Sequence, residues 1–484
     1  MMKKNIVKSA AGILAVLSLS ITGCSKFLDI NENPTRVVDL DPSYLLPSAQ
    51  AAAGMVVGNN FQVYGGLWAQ YWTQDISSSQ YRTLEQVNLD PSSFDRPWQI
   101  LYAGGLQDLQ VIIDKANTKR LEQYAGVAYL MKAYEFQLLT DAFGDIPLSD
   151  ALKAGSAEIL APKYDPQKQV YDSIFTWIDR GIALIDPAAV AGGRPGTDDV
   201  VFGGNMANWQ AFGNTLKLRA YLRLSSVDAQ RAEAGVKSLQ GKTFLTTDAK
   251  INYVTTGGSQ NPLYAEIVGL GRTQNLVASK TNVDQMNALG DPRVSVFYEP
   301  NPDTTGIVGI PQGSYRSQWD FLFSIPSTTV GASAQKTASA TAPVKFISAA
   351  ESYFLQAEGV ARGWLTGDAK ALYQSGITAS FTAYNVTPGA YITTQAAAFP
   401  AASADQIKAI ITQKYFAMCG NQNFEAWTEW RRTGYPDFFV RSQASVLPAG
   451  QMPQRFLYPN SEITRNPNFP GAKLAYDKVW WDAN

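Results

Sequence analysis

Ala349-Ala350-Glu351-Ser352-Tyr353-Phe354-Leu355-Gln356-Ala357-Glu358, a turn at Gly363-Trp364-Leu365-Thr366-Gly367-Asp368, and a second run over 369–384 read as two helices folded back on one another. The apolar positions recur every three to four residues, so each segment has one face that must be buried. Small residues at Ala350, Ala357, Ala361 and Ala371 let two helix backbones approach, and Tyr373 supplies an aromatic wedge between them. A lone hairpin of this kind cannot bury its own apolar face. It therefore predicts further pairs stacked on it.

Those pairs are present upstream. Leu45, Leu46, Ala49, Ala52, Ala53 and Val56 keep helical rhythm after Asp41-Pro42, a start signal with Pro at the first helical position. Further helices are marked by Trp98, Leu101, Tyr102, Leu106, Leu109 and Ile113, and by Tyr124, Val127, Ala128, Met131, Ala133, Tyr134 and Leu138. A fourth runs through Val170, Ile174, Trp177, Ile178 and Ile182, with Asp165-Pro166 as its start signal, and a fifth through Trp209, Leu216, Leu218, Tyr221 and Leu224. A last long helix is predicted over 404–431. The hairpin, and the pair formed by the third and fourth helices, resemble tetratricopeptide units. The expected fold is all-α, a curved right-handed scaffold of tetratricopeptide-like pairs. Between about 247 and 343 the rhythm fails and Gly, Pro and polar residues accumulate, ending in the low-complexity run 327–342, which reads as a loop-rich insert.

The N-terminus carries an address. Lys3, Lys4 and Lys8 precede the apolar run 10–19, too short for a permanent membrane span, and Ile21-Thr22-Gly23-Cys24 follows. That ending resembles the lipobox of bacterial lipoproteins, in which Cys24 becomes the lipidated first residue and acyl chains such as palmitate hold the protein at a membrane surface. With Cys24 lipidated only Cys419 remains, so no intrachain disulfide is expected. The 484-residue chain contains no histidine, which excludes Ser-His-Asp and Cys-His catalysis and the common zinc and copper sites. A net charge of -1 gives no reason to expect nucleic acid and favours a neutral partner. No metal or cofactor is implied.

Eleven Trp, 23 Tyr and 22 Phe are more flat amphipathic surface than a helical core calls for, so some should face ligand. Tyr64, Trp68 and Tyr71 lie at helical spacing and are expected in the core. Trp72 borders the polar stretch 73–82, where Asp75, Gln80, Tyr81 and Arg82 could supply hydrogen bonds beside an aromatic plate, as a sugar site requires. Trp319 sits in a polar loop, and Arg272 and Asn275 open the insert with further polar groups. The predicted ligand set is Trp72, Tyr81 and Trp319 for stacking, with Asp75, Arg272 and Asn275 for hydrogen bonding. Glu425 and Glu429 stand one helical turn apart. Two carboxylates on one turn cannot straddle a glycosidic bond, so pairing with Arg431 and Arg432 is the expected role. Gly241-Lys242-Thr243 fails as a nucleotide loop because the required upstream glycine is Val236.

Five segments in order resemble the SusD/RagB-like nutrient-binding lipoproteins of the Bacteroidetes outer membrane. They are Phe27-Leu28-Asp29 to Asn33-Pro34, Asp141-Ala142-Phe143-Gly144-Asp145-Ile146-Pro147-Leu148-Ser149-Asp150-Ala151-Leu152, the run 350–358, Asn423-Phe424-Glu425-Ala426-Trp427-Thr428-Glu429-Trp430-Arg431-Arg432-Thr433-Gly434, and Pro453-Gln454-Arg455-Phe456-Leu457-Tyr458-Pro459-Asn460-Ser461-Glu462 with Asn466-Pro467-Asn468. The resemblance implies a signal peptide over 1–23, a lipidated tether over 24–40 and one domain over 41–484. In that domain the scaffold occupies about 41–246 and 344–436, the insert about 247–343, and an irregular C-terminal segment 437–484. It also implies a non-catalytic surface protein that captures oligosaccharides or other nutrient oligomers for a SusC-like TonB-dependent transporter. Two other classes remain open on the residues alone: a surface glycosidase with two remote carboxylates, and a helical scaffold that binds only protein.

Overall fold

The structure, a computed structural model, describes residues 40–119, 121–188, 193–303, 306–334 and 336–482. The export segment, Cys24 and the 27–34 motif lie outside the described residues. From Pro42 onward the chain is helix-dominated and forms one compact unit. Helix α1 (Pro42–Gly58) and helix α2 (Asn60–Trp68) lead into a short strand β1 (Trp72–Gln74) and a helical turn α3 (Arg82–Glu85). A helical run then covers α4 (Asp95–Gln99), a π-helical turn (Ile100–Leu106) and α5 (Gln107–Lys119). The scaffold continues with α6 (Glu122–Phe143), strands β2 (Ile146–Pro147) and β3 (Tyr164–Asp165), α7 (Gln167–Leu184), α8 (Met206–Arg223) and α9 (Ala229–Lys237).

The predicted pairing of helices rests on small residues at the crossings. A Cβ on Gly181 of α7 would lie 2.8 Å from the Leu130 side chain and 2.9 Å from the Gly126 carbonyl of α6. Side chains there would force the two helices apart. The hairpin that opens the sequence argument is α12 (Ala349–Ala361) against α13 (Ala369–Ala383), and here Gly376 fits under the ring of Phe354. Ala350, Ala357, Ala361 and Tyr373 are buried in its core as expected. Ala371 is exposed: Asp368 caps the helix by accepting from the Lys370 and Ala371 amides, and that start puts Ala369 at the crossing instead.

Two further local readings are corrected. The Asp165 carboxylate does not start α7. It accepts from the Leu148 and Ser149 amides at 2.9 and 2.8 Å, tying the β2–β3 hairpin, while Asp145 accepts from the Gln167 amide at 2.8 Å. The single helix expected over 404–431 is two, α14 (Ser403–Met418) and α15 (Asn423–Thr433). Gly420 adopts φ +71 between them, a conformation that glycine takes without steric penalty, and its amide donates to Asn423 Oδ1.

The insert is more ordered than its composition suggests. It contains β4 (Ala249–Ile251), α10 (Pro262–Gly269), β5 (Leu276–Ala278) and α11 (Lys280–Ala288), and ends at β6 (Val344–Ile347). Strand β4 pairs antiparallel with β6. The run 327–342 is packed, with Ser333, Ser339 and Ala340 fully buried and the Asn261 amide and side chain donating to the carbonyls of Ala340 and Ala342. Small side chains that read as linker composition here permit close backbone packing.

Candidate functional site

Strand β1 positions the first loop. It pairs antiparallel with β5 in the register Trp72↔Ala278, Thr73↔Val277, Gln74↔Leu276, so the segment after β1 and the segment before β5 leave the same end of the sheet together. Behind it, Thr73 Oγ1 accepts from the Gly313 amide at 3.1 Å, and Gln312 donates to the carbonyls of Leu67 and Trp72, each at 3.0 Å. A third segment, beginning at 312–313 of the insert, is thereby fixed against β1.

Trp72 is corrected by this arrangement. It is fully buried, and a Cβ on Gly66 would sit 2.4 Å from its ring. The break in helical pattern that suggested an exposed loop is a strand covered on both faces, so Trp72 presents no stacking surface. Tyr64, Trp68 and Tyr71 are core as expected: Trp68 meets Trp427 edge-on at 4.9 Å and Tyr71 stacks on Tyr415 at 4.5 Å.

Asp75 and Asn275 are also buried and shape the loop from within. The Asp75 amide donates to the Asn275 carbonyl at 2.9 Å, and Asn275 Oδ1 accepts from the Gln80 amide at 3.1 Å. The Asp75 Oδ1 atom accepts from the Ser77 amide and hydroxyl, a tight side-chain turn that engages one of the two oxygens expected to meet ligand. Tyr81 caps α3, and its hydroxyl stands beside the Arg272 guanidinium. Burial, reinforced by the Glu266 carboxylate, pushes the Tyr81 phenol up to about 12 despite that cation.

Glu266, which sequence reasoning missed, organises this corner. Its two oxygens receive Arg272 Nη1 at 2.7 Å, Arg96 Nη1 at 2.6 Å and Asn59 Nδ2 at 2.5 Å. Burial pushes its carboxyl up, but these three donors outweigh burial and hold it below the usual carboxylate range. The available signal was its position on α10, six residues before Arg272, although the spacing alone names no partner.

Trp319 is half-buried on the insert loop, edge-on to Phe321 at 5.4 Å, and Leu322 beside it is exposed. Tyr315 ties this loop to the first one: its hydroxyl accepts from Gln86 Nε2 at 2.7 Å, and the Arg82 guanidinium lies 5.1 Å from its ring centroid. The structure thus brings Asp75, Tyr81, Arg272 and Asn275 together directly, with Trp319 four residues beyond the tyrosine that contacts the same loop. The result is a face of aromatic rings, guanidiniums and amides suited to stacking and hydrogen bonding.

Two other features carry no comparable chemistry. An open cleft of about 430 Å³ runs between α12 and α13, lined by Asp248, Tyr353, Ser375 and Thr378 among others. Its carboxylate is paired with Lys345 at 2.9 Å, and the Ser375 and Thr378 hydroxyls donate back to their own helix. Glu425 and Glu429 are buried and both accept from Arg223, at 2.6 and 2.5 Å. Arg432 joins Glu429 to Glu358, and Lys414 reaches Glu429 at 3.0 Å. The expected pairing holds for Arg432. Arg431 instead donates to the Asp141 and Gln454 carbonyls and lies 3.7 Å from the Trp427 ring centroid. No group of three or more metal-binding side chains occurs among the described residues.

The profile of SusD-like family 2, described as "Starch-binding associating with outer membrane", matches residues 34–459, and the chain belongs to this family. Among solved structures it is similar to one named a chitin-binding protein, at 24% identity and TM-score 0.77, covering 92% of this chain and 100% of that one. It is also similar to a chitin-binding SusD homolog from Flavobacterium johnsoniae, at 21% identity and TM-score 0.75, covering 92% and 98%. A SusD homolog from Bacteroides vulgatus matches at 22% identity and TM-score 0.74, covering 90% and 93%. No curated protein matches. These likenesses establish the shared fold, helical with tetratricopeptide-like pairs, and the family's description ties it to carbohydrate and the outer membrane. No helix among the described residues is long and apolar enough to cross a membrane.

Proposed function

We propose that the protein is a non-catalytic capture protein, anchored in the outer membrane through lipid on Cys24, that binds oligosaccharides at the cell surface and delivers them to a SusC-like TonB-dependent transporter. The observation that carries this reading is the convergence of the loops 75–82 and 270–275 on one end of the β1–β5 sheet, with the loop 313–323 tied to the first of them through Tyr315, in a chain of a starch-binding family. Trp319 is the stacking platform and Arg272 contributes to a polar rim, while Tyr81, buried in the core and so offering no open stacking face, joins Asp75 and Asn275 in holding the loops in shape. The carboxylates Glu425 and Glu429 are engaged in buried ion pairs, which favours binding over glycoside hydrolysis.

The test is calorimetric titration of the soluble protein beginning at Ser25 with maltooligosaccharides, chitooligosaccharides and peptides, with chromatography of each mixture for cleavage. Saturable glycan binding without products is expected. Release of shortened sugars would refute the reading.

A further inference from the structure

The face contains two arginines for which the protein supplies no counter-charge. Among the described residues Arg82 forms no ion pair, and one of its five N–H donors is engaged, Nη2 to the Ile76 carbonyl at 3.3 Å. Its Nε is buried without a hydrogen-bond partner. Arg316 is exposed, and no hydrogen bond or ion pair engages its guanidinium among the described residues. Both guanidiniums nevertheless gather on one ring, Arg82 at 5.1 Å and Arg316 at 5.8 Å from the centroid of Tyr315.

The neighbouring carboxylates are otherwise occupied or out of range. Asp75 is engaged by Ser77, and Glu266 by Arg96 and Arg272. Asp320, four residues from Arg316, lies beyond ion-pair distance of either arginine. The two guanidiniums lie within about 11 Å of one another across that ring, and the attraction of the phenol ring offsets only part of their repulsion. An oxyanion that accepts from both forks would offset the rest, and guanidinium geometry matches planar carboxylate and sulfate oxygens two at a time.

We infer that the captured glycan is anionic, with a carboxylate or sulfate ester seated between Arg82 and Arg316 while a neighbouring sugar ring stacks on Trp319. This deepens the capture reading and rests on it. It also departs from the neutral ligand that the chain's net charge of -1 suggests, because that total averages over a surface on which these two cations stand unpaired.

The test compares three probes of equal length by calorimetry: an oligogalacturonate, a sulfated carrageenan oligosaccharide free of uronate, and a neutral chitooligosaccharide. One of the two anionic probes is expected to bind at least about tenfold more tightly than the neutral one, and to weaken several-fold as salt is raised. Which of the two does so identifies the carboxylate or the sulfate as the recognised group. Arg316→Gln, at an exposed position where folding is not at risk, should abolish the preference. Lys280→Gln, an exposed cation paired with Asp284, should leave it intact. Neutral binding that is lost in Trp319→Ala, without any anionic preference, would overturn this inference and leave the capture reading standing. Failure of every glycan to bind would overturn both.

Discussion

Glu85 makes the pH behaviour of this protein testable at one residue. It lies on α3 directly behind β1, fully buried, and its Oε2 accepts from Thr73 Oγ1 and from the Gln74 amide, both at 3.3 Å. Its other oxygen has no hydrogen-bond partner. Burial dominates those bonds and pushes the carboxyl up from 4.5 to about 7. The folded protein therefore holds this proton more tightly than the unfolded chain does. The contribution of Glu85 to stability is greatest below the unfolded value and falls as pH rises from about 4.5 to about 7, then levels off. Between about pH 5 and about pH 8 the loss is about 2–3 kcal/mol. Glu85→Gln keeps an oxygen that can accept from Thr73 and Gln74 but removes the titration. Urea unfolding of the two proteins should give stabilities whose difference shifts toward the variant by that amount across the interval. Parallel pH profiles would refute the argument and show that the site behind β1 is wetter than its burial indicates.

Arg223→Met should cost about 3–5 kcal/mol in the same assay, because it leaves Asp141, Glu425 and Glu429 buried without their shared cation. Gly65→Ala should destabilise by about 1–3 kcal/mol, since its Cβ would lie 2.3 Å from the Phe424 backbone amide nitrogen, where α2 and α15 touch. Trp319→Ala should weaken glycan binding about tenfold or more with an unchanged unfolding midpoint, measured by calorimetry and denaturation side by side. Cys24→Ala should move the protein out of the outer-membrane fraction and abolish labelling with a palmitate analogue.

Helical rhythm located the scaffold because packing and periodicity agree there: Gly126 with Gly181 and Gly376 with Phe354 are contacts between helices whose apolar stripes are visible in the chain. The insert was less legible. Pairing of β1 with β5 joins residues about two hundred positions apart, and no local pattern announces it. That pairing decides which aromatics face outward. Trp72 and Trp319 both border polar stretches in the sequence, yet strand formation buries the first and leaves the second half-buried on the face. Arg272 and Asn275 were recognisable only as polar residues at the mouth of an irregular segment. Their partners Glu266 and Gln80 come from the fold.

The segments that carry the family resemblance and the residues proposed to meet ligand occupy different parts of the molecule, and the reason is electrostatic. Asp141, Glu351, Glu358, Glu425, Glu429 and Arg432 come from three signature segments, and all are buried in one network with Arg219, Arg223 and Lys414. Burial pushes the Glu429 carboxyl up, but Arg432, Lys414 and Arg223 outweigh it and hold it well below the usual range. Such a set tolerates little change, since removing any one charge strands its partners in a low-dielectric interior. Glycan specificity places no demand on it. The loops 75–82 and 313–323 hang from the scaffold by backbone bonds and by a few side chains such as Gln312 and Tyr315, so their outward residues can change without disturbing the ion pairs beneath. A signature built from buried charge therefore specifies the frame, and on the proposed reading the ligand is specified by residues such as Arg316 and Trp319 that belong to no signature segment.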